Sequence, residues 1–270
     1  MTDDYEVPTE ERDKLYPYVP VSLVPVAVVT FIILATLFFD VRDPQTYSTN
    51  PVIFYALPML YLITFMTIET PKTILRTLGL YFPTLLSKVV ALFSLPIGYL
   101  VGKALAGFAV NPSSILVIST YPWVALSTQS AGVQTLASLS TTINVVLYSV
   151  VAIFEEGSAI YMGKNIANWL DSKRMNAIIA SGLGLFLGRV VLTAHHWFSY
   201  GGLAEPTLYI SALFFFVVFT FMGIIAGMAA RGYLVGEDIS NFNVFPVLLP
   251  IMVAAHFGFD FVMSQLMIIG

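Results

Sequence analysis

A chain of 270 residues that is 57% hydrophobic and only 10% charged, with a mean hydropathy of +0.84, has too little polar surface to wrap one water-facing domain. A formal net charge of −4 and a pI near 5.3 exclude a basic nucleic-acid binder. The absence of cysteine excludes disulfides, thiolate metal sites and a cysteine nucleophile.

The apolar residues come in blocks of about 20, the length that crosses a bilayer core as helix. Residues 1–18 are acidic and contain proline, with no apolar core or cleavage site, and read as a polar tail rather than a signal peptide. Residues 19–270 read as a single transmembrane helical domain. Its first block is Val19–Phe39, closed by the polar run Asp40–Pro51, and the second is Val52–Ile68. Glu69–Leu80 sets Lys72 and Arg76 among Leu and Ile, which predicts an interfacial amphipathic turn. A third block covers Pro83–Val110.

Asn111–Thr135 is interrupted by Ser113, Ser114, Ser119, Thr120, Ser127, Thr128, Gln129 and Ser130 and punctuated by Pro122 and Gly132. It is either a short polar helix inside the bundle or a re-entrant hairpin, since irregular backbone at membrane depth needs protein or a cavity around it. Four clearer segments follow: Leu136–Met162, Met175–Phe198, Leu208–Ala230 and Val244–Ile269. The expected fold is therefore an all-α, polytopic transmembrane bundle of seven to eight spans. No internal repeat and no second domain is visible.

Lysine and arginine placement orients it. If Asn111–Thr135 does not cross, Arg12, Lys14, Lys72, Arg76, Lys88, Lys164, Lys173, Arg174 and Arg231 share one side, against Arg42 and Lys103, with Arg189 left inside. That asymmetry favours seven full crossings with the N-terminus cytoplasmic.

An ionisable side chain at mid-bilayer costs ~2.5–3.5 kcal/mol on insertion scales, so each one asks for a reason. The second half, residues 136–270, holds Glu155, Glu156, Arg189, His195, His196, His256 and Asp260, including all three histidines of the chain. Glu155 lies 11 residues after Asn144, about 20° away on a helical wheel, and shares that stripe with Tyr148 and Val151. Gly184 and Gly188 form a GxxxG stripe that suits close helix approach. His195 continues that stripe, and His196 lies seven residues after Arg189 on the adjacent face. His256 and Asp260 are four apart, close enough to touch on one helix. Gly223 and Gly227 give the intervening helix its own close-packing face. Bringing Glu155 to the depth of His195 requires its helix to run past Lys164 towards Asp171, which the apolar positions Ile166, Trp169 and Leu170 permit. His256 is ~18 Å into its helix if that helix starts at Val244.

At FEEGSAI (Glu155, Glu156), VLTAHHW (His195) and HFGFD (His256, Asp260) the chain resembles the CAAX protease and bacteriocin-processing (CPBP) family of intramembrane endopeptidases. That family carries EExxxR, FxxxH on the next helix, and HxxxN or HxxxD two helices later. The resemblance covers roughly Val150–Gln265. Ile160 stands at the family's arginine position and Val191 at its phenylalanine, and Arg189 is a candidate to supply the missing cation.

The resemblance implies hydrolysis of a peptide bond in a membrane-associated peptide or protein. Glu155 with His195 would hold and deprotonate the water, and His256, positioned by Asp260, would donate to the oxyanion. Glu156 would be structural, pairing Arg189 or Lys164, and no cofactor is needed. Two histidines and a glutamate also make a catalytic zinc set, so Glu155, His195 and His256 are the alternative metal ligands.

Blander explanations exist for each group. The Glu pair could mark the end of the apolar run Leu136–Phe154, the His195–Trp197 region could be an aromatic-belt anchor, and His256–Asp260 could be an interhelical hydrogen bond. Lys88 and Lys103 are expected to snorkel. Phe214, Phe215, Phe216, Phe219 and Phe221 are expected to face lipid, and Pro246 and Pro250 to shape the last helix. The competing functions are a catalytically silent membrane scaffold or chaperone and a proton-coupled transporter. Buried acid and histidine chains also make relays, although the inverted repeat common in transporters is not seen.

Overall fold

In long apolar stretches the helix is the favoured form, because its i to i−4 hydrogen bonds pair the backbone groups within the segment. The computed structural model describes residues 71–82, 84–110, 141–194, 206–231 and 245–269. The regular elements among them are six α-helices: α1 Pro71–Thr77, α2 Leu85–Val110, α3 Thr141–Ser172, α4 Ala177–Ala194, α5 Pro206–Arg231 and α6 Leu249–Ile269. The polar tail, the segments Val19–Phe39 and Val52–Ile68, and the Asn111–Thr135 stretch lie outside the described residues.

Among the described residues two helices are long and apolar enough to cross a membrane, over Leu85–Gly107 in α2 and Ala212–Ala230 in α5. Shorter apolar stretches occupy Ala177–Thr193 of α4 and Leu249–Val262 of α6. Helix α3 does run past Lys164, as the depth requirement demanded, and ends only at Ser172.

Local chemistry starts and stops these helices. At the start of α2, the Ser87 N–H donates to Thr84 Oγ1 and the Thr84 N–H to Ser87 Oγ, both at 3.1 Å, a reciprocal cap. After α1, Gly79 adopts a left-handed φ of 67°, and the Leu80 N–H reaches back to the Leu75 carbonyl at 2.7 Å. The α3–α4 connection closes the same way. Arg174 takes φ 63°, its N–H donates to the Asp171 carbonyl, and the Met175 N–H donates to that of Leu170. Asn176 then caps α4, its Oδ1 accepting from the Ile178 N–H at 3.0 Å and the Ile179 N–H at 3.4 Å.

Small residues set the closest approaches. A Cβ on Gly184 or Gly188 would strike α3 at Gly163, Ala159 and Ala167, so the GxxxG stripe does pack α4 against α3. Gly98 and Gly102 of α2 lie against the Ile251 and Ala255 carbonyls of α6, and Gly258 answers against the Tyr99 carbonyl.

The last helix begins later than the hydropathy pattern predicts, at Leu249 rather than Val244. Backbone groups just ahead of it are engaged elsewhere. The Leu248 N–H donates to the Gly223 carbonyl of α5 (2.8 Å), and the Leu249 N–H to the Leu78 carbonyl (3.1 Å). Gly79 and Gly227 leave room for the Val247 and Pro246 carbonyls of this non-helical segment. Pro250 falls in the first turn of α6, where its missing N–H costs no helical bond.

The aromatic run on α5 also departs from expectation. Only Phe221 is well exposed, whereas Phe215, Phe216 and Phe219 are buried. They fill a core with Leu105, Ala106, Ala255 and Phe259, because α2 and α6 both close over that face of α5. A second core gathers Ile160, Met162, Leu185, Leu248 and Met252. The outer surface is apolar, with Leu92, Leu100, Ile178, Ile210 and Ile225 exposed, and both Lys88 and Lys103 reach outward.

Candidate functional site

Between these two cores lies a knot of charge. Successive residues on a helix point about 100° apart, so Glu155 and Glu156 of α3 leave the helix in different directions, yet both are buried, at 1% and 0% exposure. The pair therefore lies inside the helix packing and not on its outer surface. The helix stays buried for three further turns, through Ile166 and Ala167.

Glu156 is held from two sides. The Arg189 guanidinium of α4 donates from Nη2 to Glu156 Oε2, and from Nε to Thr220 Oγ1 of α5. Thr220 can accept there because its own hydroxyl proton goes to the Phe216 carbonyl at 3.0 Å. The Arg189 Cζ also lies 5.7 Å from the Phe216 ring centre, a cation–π contact. Ile160 is itself a buried core residue. Lys164, the other partner considered for Glu156, instead donates to Thr77 Oγ1 at 3.0 Å and lies over the Tyr161 ring.

The second contact to Glu156 comes from α6. His256 Nδ1 sits 2.9 Å from Glu156 Oε1. With Arg189 paired to this carboxylate, Glu156 is the acceptor, which assigns a proton to Nδ1. The opposite ring nitrogen, Nε2, is 3.3 Å from Asp260 Oδ2 and 3.7 Å from Glu155 Oε2. Phe219 stacks on the imidazole at 28° with centres 5.8 Å apart, and Phe216 meets it edge-on at 5.1 Å. Ring and tautomer are thereby both fixed.

Five of the seven site residues named from the sequence, Glu155, Glu156, Arg189, His256 and Asp260, come together here. His195 and His196 lie outside the described residues. Thr220, Phe216 and Phe219 complete the site and were not singled out for it. The available signal was a single hydroxyl in the apolar run 212–224. Asp260 is not the sole support of His256, since Glu156 grips the far side of the ring. Among the described residues no group of three His, Cys, Asp or Glu side chains is arranged to hold a metal ion. The zinc set considered above includes His195.

The knot contains three carboxylates against one guanidinium and one imidazole. Desolvated charge is tolerated only when paired. Arg189 compensates one carboxylate, and Glu155 and Asp260 converge on the edge of one imidazole. Such a site can hold and move protons and polarise a bound water. Set against family models, curated proteins and solved structures, the chain matches none.

Proposed function

We propose that this protein is an intramembrane endopeptidase of the CPBP kind, a seven-crossing bundle with a cytoplasmic N-terminus that cleaves a membrane-associated peptide or protein. The observation that carries this reading is the buried meeting of Glu155 with His256. Their side chains lie 3.7 Å apart although 101 positions separate them in the chain, 256 minus 155. A carboxylate in low dielectric is suited to general-base work near neutral pH.

In this mechanism Glu155, with His195, takes a proton from a water whose oxygen attacks the peptide carbonyl carbon. The Nδ1–H of His256 is committed to Glu156, so the ring donates to the oxyanion from Nε2. It therefore works as the imidazolium, with the Glu155 and Asp260 carboxylates beside Nε2. Glu155 then passes the proton to the departing amine as the C–N bond breaks. Arg189 and Thr220 act through Glu156, as positioning residues.

Glu155→Gln should abolish cleavage and leave folding intact. The comparison is between membrane proteomes of cells expressing the wild type and the variant, read for a peptide or protein that stays unprocessed. Wild-type processing by Glu155→Gln removes the mechanism. A second reading, proton-coupled transport, is favoured by the acid–imidazole–acid series from Glu155 to Asp260. Flux in proteoliposomes separates the two.

A further inference from the structure

Among the five charged groups of the knot, one stands apart. The Asp260 side chain is 26% exposed, whereas those of His256, Glu155, Glu156 and Arg189 are all at 4% or below. Asp260 is also one helical turn beyond His256 on α6, with its Oδ2 on the imidazole edge that faces Glu155.

We infer that Asp260 is the proton port of the site, the group through which protons pass between the outside of the bundle and Glu155 by way of His256 Nε2. The route follows from what is fixed. Nδ1 is committed to Glu156, which is committed to Arg189, so the ring cannot carry protons by turning over. Both neighbouring faces are aromatic, Phe219 stacked and Phe216 edge-on, which keeps water off the ring. That leaves Nε2, with an outward carboxylate at 3.3 Å and an inward one at 3.7 Å.

Inward transfer breaks the Asp260 O–H bond and forms Nε2–H, giving an imidazolium between carboxylates. The same Nε2–H bond then breaks as the Glu155 O–H bond forms. No other reactant is consumed, and the return path is the reverse. The charged groups facing His256 among the described residues are Glu155 and Glu156 from α3, Arg189 from α4 and Asp260 on its own helix. From α5 it meets Phe216 and Phe219, neither of which titrates.

The inference concerns proton movement and is independent of whether the site cleaves a peptide bond. It is tested on the full-length protein in lipid vesicles by magnetic resonance of 15N-labelled histidine, following solvent exchange of the His256 Nε2–H. Asp260→Asn should slow that exchange at least about tenfold, equivalent to a barrier raised by about 1.4 kcal/mol. Asp260→Glu should restore it, and circular dichroism should show equal helix content throughout. An unchanged exchange rate in folded Asp260→Asn overturns the inference.

A second measurement needs no variant at the port. In wild-type protein with 15N-labelled histidine, the His256 Nε2–H should exchange with solvent at least about tenfold faster than its Nδ1–H. Equal protection of the two overturns the inference even if Asp260→Asn does not fold.

Discussion

A carboxylate as deeply buried as Glu156 needs a charge partner, and Arg189 is the cation that donates to it. Removing one member of a buried pair leaves an uncompensated charge, at a cost of about 3–5 kcal/mol. Arg189→Met should therefore destabilise by about that amount, and Glu156→Gln in the same chain should recover most of it. Unfolding of the single and double variants in mixed micelles, assembled as a double-mutant cycle, measures the coupling. Additive single effects would show that the two groups do not act as a pair. At this scale much was legible, because an ionisable residue in an apolar run announces itself: Glu155, Glu156, Arg189, His256 and Asp260 all stood out that way. The partners of His256 were not. A four-residue spacing reveals the bond to Asp260, but no spacing reveals one to Glu156, which depends on how α3 and α6 face each other. Phe216 and Phe219 were misassigned to lipid for the same reason, since one helix's hydropathy does not say whether its neighbour is lipid or another helix.

The helices owe their ends to a few polar contacts. Asn176 satisfies two first-turn N–H groups of α4, the helix that brings Arg189 to the site. From Ala177 to Arg189 is ~18 Å of helix, and from Glu156 to Ser172 ~24 Å, so the two meet only if the α3–α4 turn holds its geometry and the long arginine side chain covers the difference. Asn176→Ala should lower stability by about 1 kcal/mol, and Asn176→Asp, which keeps the acceptor, should lower it by much less. Thermal unfolding in detergent compares them, and equal losses would rule out capping as the cause. The extension of α3 past Lys164 was foreseeable from the need to match depths across that turn. The late start of α6 was not. It rests on Leu248 and Leu249 giving their N–H groups to Gly223 and Leu78, long-range bonds that leave no trace in local hydropathy.

Across the whole molecule, the site stands or falls on how closely α6 is pressed to its neighbours, because His256 meets Glu155 and Glu156 only from that position. The composition announces a helical, apolar chain, and two helices among the described residues are long and apolar enough to cross a membrane. Their close contacts, however, are made through residues with almost no side chain, a weak signal in a sequence that contains 18 glycines. Gly102 is one where the contact matters. A Cβ there collides with the Ala255 carbonyl, and Ala255 immediately precedes His256. Gly102→Leu should force α2 and α6 apart, destabilising by about 1–3 kcal/mol as overpacked interiors do, and should weaken the bond from His256 to Glu156. Gly107 on the same helix has nothing within 4 Å of its would-be Cβ. Gly107→Leu should accordingly stay within about 0.5 kcal/mol of wild type. Unfolding of the two variants, with the histidine 15N spectrum reporting the Nδ1 hydrogen bond, decides the matter. If Gly102→Leu leaves both stability and that resonance unchanged, the pressing of α6 against α2 is not what holds His256 in place.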